Sequence, residues 1–262
     1  MTCRSWGDPD TADAGVLLVH GLGAHCGWYE GFAPRLTKNG LFALSYDQVG
    51  FGKRAGQEFS GRRQWREDLV DAFDQLKTLV PGRPLILVGN SMGAVVAADA
   101  AEQLKPSGVV FLSPGFDGHP QTFSPQYKLK ALALALVAPS QQIELPYTEK
   151  EITSSPEARS FITADPLKRF TLDARMGLEL LKLTLHVRAK RRSLPCPLFM
   201  ATAGLDRIVD NNVSQSYYER LNCLAKRKIR FENSFHDLVF EPVADDLIKE
   251  IMRWWHEEGR RR

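Results

Sequence analysis

The chain has 262 residues, 44% hydrophobic and 25% charged, a composition that supports a large core and fits one α/β domain carrying an insertion. Its 34 basic and 31 acidic residues leave a net charge of +3, too balanced to argue for a nucleic-acid partner. No apolar run approaches about 18 residues, so no membrane-spanning helix is expected.

The first predicted strand, Gly15 to Val19, runs straight into His20-Gly21-Leu22-Gly23-Ala24-His25. A glycine-bearing loop at the carboxyl edge of a parallel sheet offers backbone N–H groups where ligands bind in such sheets. Trp28 to Lys38 reads as a helix stopped by Asn39-Gly40, and Leu41 to Tyr46 as a strand leaving through Asp47-Gln48-Val49-Gly50-Phe51-Gly52. Arg62 to Leu79 places Trp65, Leu69, Phe73 and Leu76 on one helical face. The apolar run Leu85 to Val88 is a buried strand, and it enters Gly89-Asn90-Ser91-Met92-Gly93 before a small-residue helix reaching about Leu104. Gly108 to Leu112 is a further strand. From Gly115 to about Leu194 the alternation stops for about eighty residues, too many for a plain loop, so this stretch is expected to be a mostly helical cap. Strands resume at Cys196 to Ala203 and at Lys228 to Glu232, with helices over Asn212 to Leu224 and Val243 to His256. The pattern predicts a mostly parallel sheet covered on both faces. The expected layout is a core of residues 1–114 and 195–262 with a cap at 115–194.

The chemistry concentrates at three strand exits. G-x-S-x-G between a strand and a helix turns the chain so sharply that Gly89 and Gly93 must leave room, and the Ser91 hydroxyl is presented at the sheet edge. A serine needs a base, and the base an orienting carboxylate. His236 leaves the last strand and is the candidate base, while Asp206, one Gly-Leu step after the preceding strand, is the candidate acid. Asp210 precedes a helix and suits an N-cap. Asp237 adjoins the base, and loop neighbours usually point apart. The order Ser, Asp, His is that of an α/β-hydrolase arrangement. The oxyanion of acyl transfer needs two backbone donors, and the N–H groups of Leu22 and Met92 stand at the right turns.

Other chemistries find no support. Cys3, Cys26, Cys196 and Cys223 show neither C-x-x-C nor a zinc spacing, so reduced thiols in the cytoplasm are expected. The N-terminal ten residues lack the apolar core of a secretory signal. No H-E-x-x-H, Cys/His cluster or P-loop occurs, so no metal and no cofactor is expected. The basic runs Arg188 to Arg192 and Lys226 to Lys228 and the arginine-rich C-terminus read as solvated faces, with attraction to anionic membranes left open.

His20 to His25, Gly50-Phe51-Gly52, Gly89 to Gly93, Asp165-Pro166-Leu167, Gly204-Leu205-Asp206 and His236-Asp237 resemble, in this order, the monoacylglycerol lipase and lysophospholipase-like α/β-hydrolases (the serine-aminopeptidase-like branch). The resemblance runs from about residue 14 to the end. It implies the α/β-hydrolase fold, with Ser91 as nucleophile, Asp206 as acid, His236 as base, and Leu22 and Met92 as oxyanion donors. Gly21, Gly23, His25, Asn90, Leu132 and Leu136 are the expected substrate contacts. Two departures stand out. Asp47-Gln48-Val49-Gly50-Phe51-Gly52-Lys53 lacks the family's arginine and serine, which puts local polar contacts in doubt. Only about thirteen residues precede the first His-Gly strand, so the family's N-terminal β-hairpin is expected to be shortened or missing. That would leave Leu41 to Tyr46 near an unprotected edge and open to a homo-oligomer.

The expected activity is hydrolysis of lipophilic carboxylic esters, of monoacylglycerol, lysophospholipid or smaller kind, through an acyl-enzyme on Ser91. Amide, thioester or carbon–carbon cleavage on the same triad is the alternative, as is a non-catalytic ligand-binding homologue. Leu129 to Val137 is expected to be a helix, apolar nearly all round. It is either packed between other elements or lines an acyl groove, and transient contact with a membrane surface through the cap is expected.

Overall fold

The computed structural model describes residues 2–189 and 193–259. Much of the basic run at 188–192 and the arginines at the C-terminus lie outside the described residues.

In chain order the elements begin with β1 (Cys3–Trp6), β2 (Ala14–Val19), α1 (Ala33–Thr37), β3 (Leu41–Tyr46), α2 (Arg62–Leu79), β4 (Leu85–Asn90), α3 (Met92–Leu104) and β5 (Gly108–Leu112). The insertion follows, with α4 (Pro125–Val137), β6 (Gln142–Glu144), α5 (Glu149–Ile152), α6 (Pro156–Ala164), β7 (Thr171–Asp173), α7 (Ala174–Ala189) and β8 (Ser193–Leu194). The chain ends with β9 (Leu198–Ala203), α8 (Asn211–Arg220), β10 (Asn222–Cys223), β11 (Lys226–Phe231) and α9 (Ala244–Trp254).

Seven strands form the central sheet in the order β1-β3-β2-β4-β5-β9-β11, all parallel except β1. The strands between the edges are wholly buried, and alternate side chains serve opposite faces. Leu17, Val19, Leu85 and Leu87 meet Trp65, Leu69 and Phe73 of α2 and the small residues of α3. Val16, Leu18, Ile86 and Val88 meet Phe32, just before α1, Leu36 of α1 and Leu247, Ile251 and Trp254 of α9. The sheet is therefore sandwiched between two cores, and its carboxyl edge is left to the loops.

Several expectations need correction. The N-terminal hairpin is shortened, as expected, to one strand among the described residues, but the edge it was expected to leave open is covered. β1 pairs antiparallel with β3 over Cys3–Trp6 and Tyr46–Ala43, so Leu41–Tyr46 has no open edge. The helix expected over Trp28 to Lys38 is cut to α1, because Gly31 and Pro34 interrupt it and Cys26–Tyr29 forms a separate tight turn. The insertion also carries an antiparallel strand pair, β6 with β7, that no periodicity announced. At the C-terminal end of α9 both Trp254 and Trp255 are fully buried, and a wider turn follows over Trp255–Gly259.

Removing residues 1–7 is expected to uncover the β3 edge and cost about 2 kcal/mol of stability, with apparent mass rising with concentration. Urea unfolding and light scattering check this. A monomeric truncation with an unchanged midpoint would show that β3 needs no cover.

Candidate active site

β4 ends at Asn90 and α3 begins at Met92, so one residue makes the whole turn. Ser91 takes φ 52°, ψ −116°, a conformation that costs an L-residue about 1–3 kcal/mol and persists only where neighbours hold it. They do so closely. A Cβ at Gly93 would lie 2.1 Å from the Val19 carbonyl oxygen, and one at Gly89 would lie 2.5 Å from Ala94 Cα. The β5 exit completes the grip: Ser91 N–H donates to Leu112 O at 2.9 Å, and Gly115 N–H donates to Ser91 O at 3.0 Å. Gly115 escaped the sequence reading, and Ser113-Pro114-Gly115 at a strand exit was the available signal.

Asp206 and His236 leave β9 and β11 beside this turn. His236 Nδ1 lies 2.8 Å from Asp206 Oδ2, and Asp206 Oδ1 accepts from the Ile208 and Val209 N–H groups at 2.8 and 3.0 Å. The carboxylate is thus fully engaged, which fixes its orientation. With Nδ1–H donating to it, Nε2 is the nitrogen able to take a proton. Burial works against a charged imidazole, but the charge and hydrogen bond of Asp206 and the charge of Asp237 hold His236 above its ordinary 6.5. Burial pushes the Asp237 carboxyl up to about 6, against the pull of His236. Asp237 faces Asn90, whose Nδ2 donates to it at 3.1 Å. Asp210 caps α8, accepting from Asn212 N–H.

Ser91 sits where two cavities meet. A small chamber is bounded by Gly21, Leu22, Trp28, Asn90, Ser91, His236 and Asp237 among others. The other cavity, about 190 Å³, extends under the insertion from Leu22, Ser91, Met92 and Gly115 past Leu132, Leu145, Leu172 and Leu178. Leu22 and Met92 therefore border Ser91, and the first N–H groups of α3 have no partner within the helix. Gly21 packs on Ser91, with a Cβ there 3.1 Å from Ser91 Cβ.

The remaining expected contacts divide. Asn90 borders the small chamber and Leu132 the large cavity. Leu136, one turn beyond Leu132 on α4, is 72% exposed and is corrected to a surface residue, because that end of the helix lies past the residues that line the cavity. Gly23 and His25 are corrected to ties between loop and insertion. Gly23 O accepts from Arg169 N–H at 2.9 Å, and His25 Nε2 lies 2.8 Å from Asp165 Oδ2, which also accepts from Trp28 Nε1. His20 shapes the same loop: its Nε2 accepts from Gln48 N–H, so Nδ1–H donates to Gly21 O at 2.8 Å. Burial lowers its pKa to about 4, so it stays neutral. The arginine missing near Asp47 is supplied by Arg54, which grips the Asp68 carboxylate at 2.7 and 3.0 Å and the Asp47 carbonyl. Among the described residues one group, His25, Cys26 and Asp47, clusters like metal ligands. Its atoms are committed to loop hydrogen bonds, with Asp47 accepting from the Cys26 and Lys53 N–H groups.

Comparison with known proteins identifies the family and the fold. The family model described as serine aminopeptidase, S33, matches residues 10–243. The monoglyceride lipase of Homo sapiens is 27% identical over 97% of this chain and 86% of its own length. The solved monoacylglycerol lipase of Paleococcus ferrophilus superposes with a TM-score of 0.83 at 23% identity, covering 96% of both chains. A monoglyceride lipase variant of Saccharomyces cerevisiae, solved with a substrate analogue, gives 0.82 at 20% identity, covering 97% of this chain and 91% of its own.

Imidazole NMR is expected to place the His236 pKa above 6.5, and Asp237→Asn to lower it by removing a neighbouring negative charge. An unchanged value in that variant would remove Asp237 from this role.

Proposed function

The chain belongs to the serine aminopeptidase S33 family of α/β hydrolases, and on that premise we propose that it is an ester hydrolase acting through Ser91 on lipophilic carboxylic esters of the monoacylglycerol kind. The observation that carries this reading is the position of Ser91 between an apolar cavity and a chamber holding the base.

The acyl chain lies in the larger cavity along Leu132, Leu145, Leu172 and Leu178, and the alcohol lies on the His236 side. Ser91 Oγ attacks the carbonyl carbon while His236 Nε2 takes its proton. The Leu22 and Met92 N–H groups receive the oxyanion, each worth about 3 kcal/mol of transition-state stabilisation. His236 returns the proton to the leaving alcohol, then activates the water that cleaves the acyl-enzyme. Asp206 holds the tautomer and balances the imidazolium. An apolar acyl wall favours esters of fatty acids over charged peptides.

Residues 115–194 act as the cap that builds that wall. Its helix α4 leaves Leu129, Leu136 and Val137 at 68, 72 and 81% exposure, which supports contact with a lipid surface where substrate resides. Among the described residues no helix is long and apolar enough to cross a membrane. The compartment proposed is a reducing one such as the cytoplasm, where Cys3, Cys26, Cys196 and Cys223 keep thiol rather than disulfide form.

A fluorophosphonate is expected to add once to the wild type and not to Ser91→Ala, as read by intact mass, with kcat on esters falling by at least about 10³ in the variant. No adduct on the folded wild type would favour a ligand-binding homologue. Activity on p-nitrophenyl and glycerol esters is expected to rise with acyl length, and Leu178→Trp to shift the optimum to shorter chains. A flat response from about two to twelve carbons would sink the acyl-cavity assignment.

A further inference from the structure

Among the buried carboxylates that the mechanism leaves unused, one ties the base loop to the insertion. Glu241 is 3% exposed and lies in the loop between β11 and α9, five residues after the base. Its Oε2 accepts from the Phe235 N–H at 3.0 Å, immediately before His236, and from Ser154 Oγ at 2.9 Å. Its Oε1 accepts from Thr153 Oγ1 at 2.7 Å and from the Ser154 N–H. One residue after the base, the Asp237 N–H donates to Ile152 O at 2.8 Å. The backbone on both sides of His236 is thus fastened to the same three-residue segment of the insertion, which is some 87 residues away in sequence.

We propose that Glu241 is a positioning residue: by joining the Thr153–Ser154 corner of the insertion to the Phe235 N–H, it holds His236 in reach of both Asp206 and Ser91. This rests on the reading of His236 as the base. The carboxylate suits the task chemically. It is acceptor-only, and four donors converge on its two oxygens, so the loop has one low-energy arrangement. Truncation leaves several buried donors unpaired, and an amide in its place turns an NH₂ group toward N–H and O–H donors. The Asp206–His236 hydrogen bond fixes only the ring. The Glu241 network fixes the backbone from which the ring projects. An alternative role is a clamp that stabilises the fold without affecting the base.

The test compares wild type, Glu241→Gln and Ser154→Ala for the rate of fluorophosphonate labelling per folded molecule and for the pH dependence of kcat/KM on a short p-nitrophenyl ester. A short ester makes little use of the acyl cavity, so the insertion's role in binding drops out. Labelling is expected to slow about ten- to a hundredfold in Glu241→Gln and about threefold in Ser154→Ala. The acid limb is expected to move to lower pH as His236 loses the full charge of Asp206, and kcat to fall more than KM rises. A fold-only clamp would lower the melting temperature and leave labelling rate and acid limb at their wild-type values, which overturns the proposal. Should Glu241→Gln not fold, Ser154→Ala decides by the same two readouts. A folded wild type that takes no label overturns the triad assignment and this inference together, a result distinct from one confined to the variants.

Discussion

The turn at Ser91 can exist only where strand, helix and neighbouring strand approach more closely than side chains allow. Gly93 lies against the Val19 carbonyl, and Gly89 against the start of α3. Any Cβ at either position would push β2, β4 and α3 apart, so the geometry that exposes the nucleophile is the geometry that packs the centre of the sheet. Strain of a few kcal/mol at one serine is tolerable because the strands around it are buried on both faces. The same close approach brings the exits of β2, β4 and β5 together, with the Gly21 loop and Gly115 touching Ser91 from two sides. Function and core are therefore coupled at this point, and nearly every other feature of the site is arranged around it.

Two buried histidines at this edge behave oppositely, and their partners explain why. His20 meets a carbonyl oxygen and a backbone N–H, so burial dominates and the ring stays neutral, a fixed strut for the Gly21–Gly23 loop. His236 meets carboxylates, whose attraction for the imidazolium exceeds the penalty of burial. Only the second ring can carry a proton through a reaction cycle near neutral pH. On the proposed mechanism, the division gives a structural histidine to the oxyanion side and a proton carrier to the leaving-group side.

Much of this was legible in the chain because parallel strands announce themselves as short apolar runs, and their exits share one edge. Ser91, Asp206 and His236 could be placed there without coordinates, and Asp237 could be set apart as a neighbour pointing elsewhere. What was not legible has common physical causes. β1 reads Cys-Arg-Ser-Trp, an edge strand with little apolar pattern, and it becomes visible only when its partner β3 is present. The three-residue strands β6 and β7 gain their identity from each other. Apolar composition in α4 did not say which face would be covered, and Leu132 and Leu136, four residues apart, have different surroundings because the helix runs past the cavity mouth. Likewise His25 showed no partner in sequence, because Asp165 lies 140 positions away.

The insertion touches the catalytic edge near Asp117–His119, which pairs with Ile208 to Asp210 beside Asp206, and at two further corners, and this separates chemistry from selectivity. Ile152 to Ser154 hold the base loop, while Asp165 and Arg169 hold the loop that carries Leu22. Both corners are built of hydrogen bonds, many to backbone atoms, that tolerate little displacement. The proposed acyl wall by contrast comes from α4 and α7 through apolar side chains such as Leu132, Leu178 and Leu181. Changes of side-chain volume there alter the cavity without disturbing a single polar contact of the triad. Substitutions on α4 and α7 should therefore retune which acyl group fits, whereas substitutions at the two corners should act on the rate for every substrate alike. The fold thus lets one part of the insertion vary freely because another part, no more than a few turns of chain away, is held by the catalytic loops.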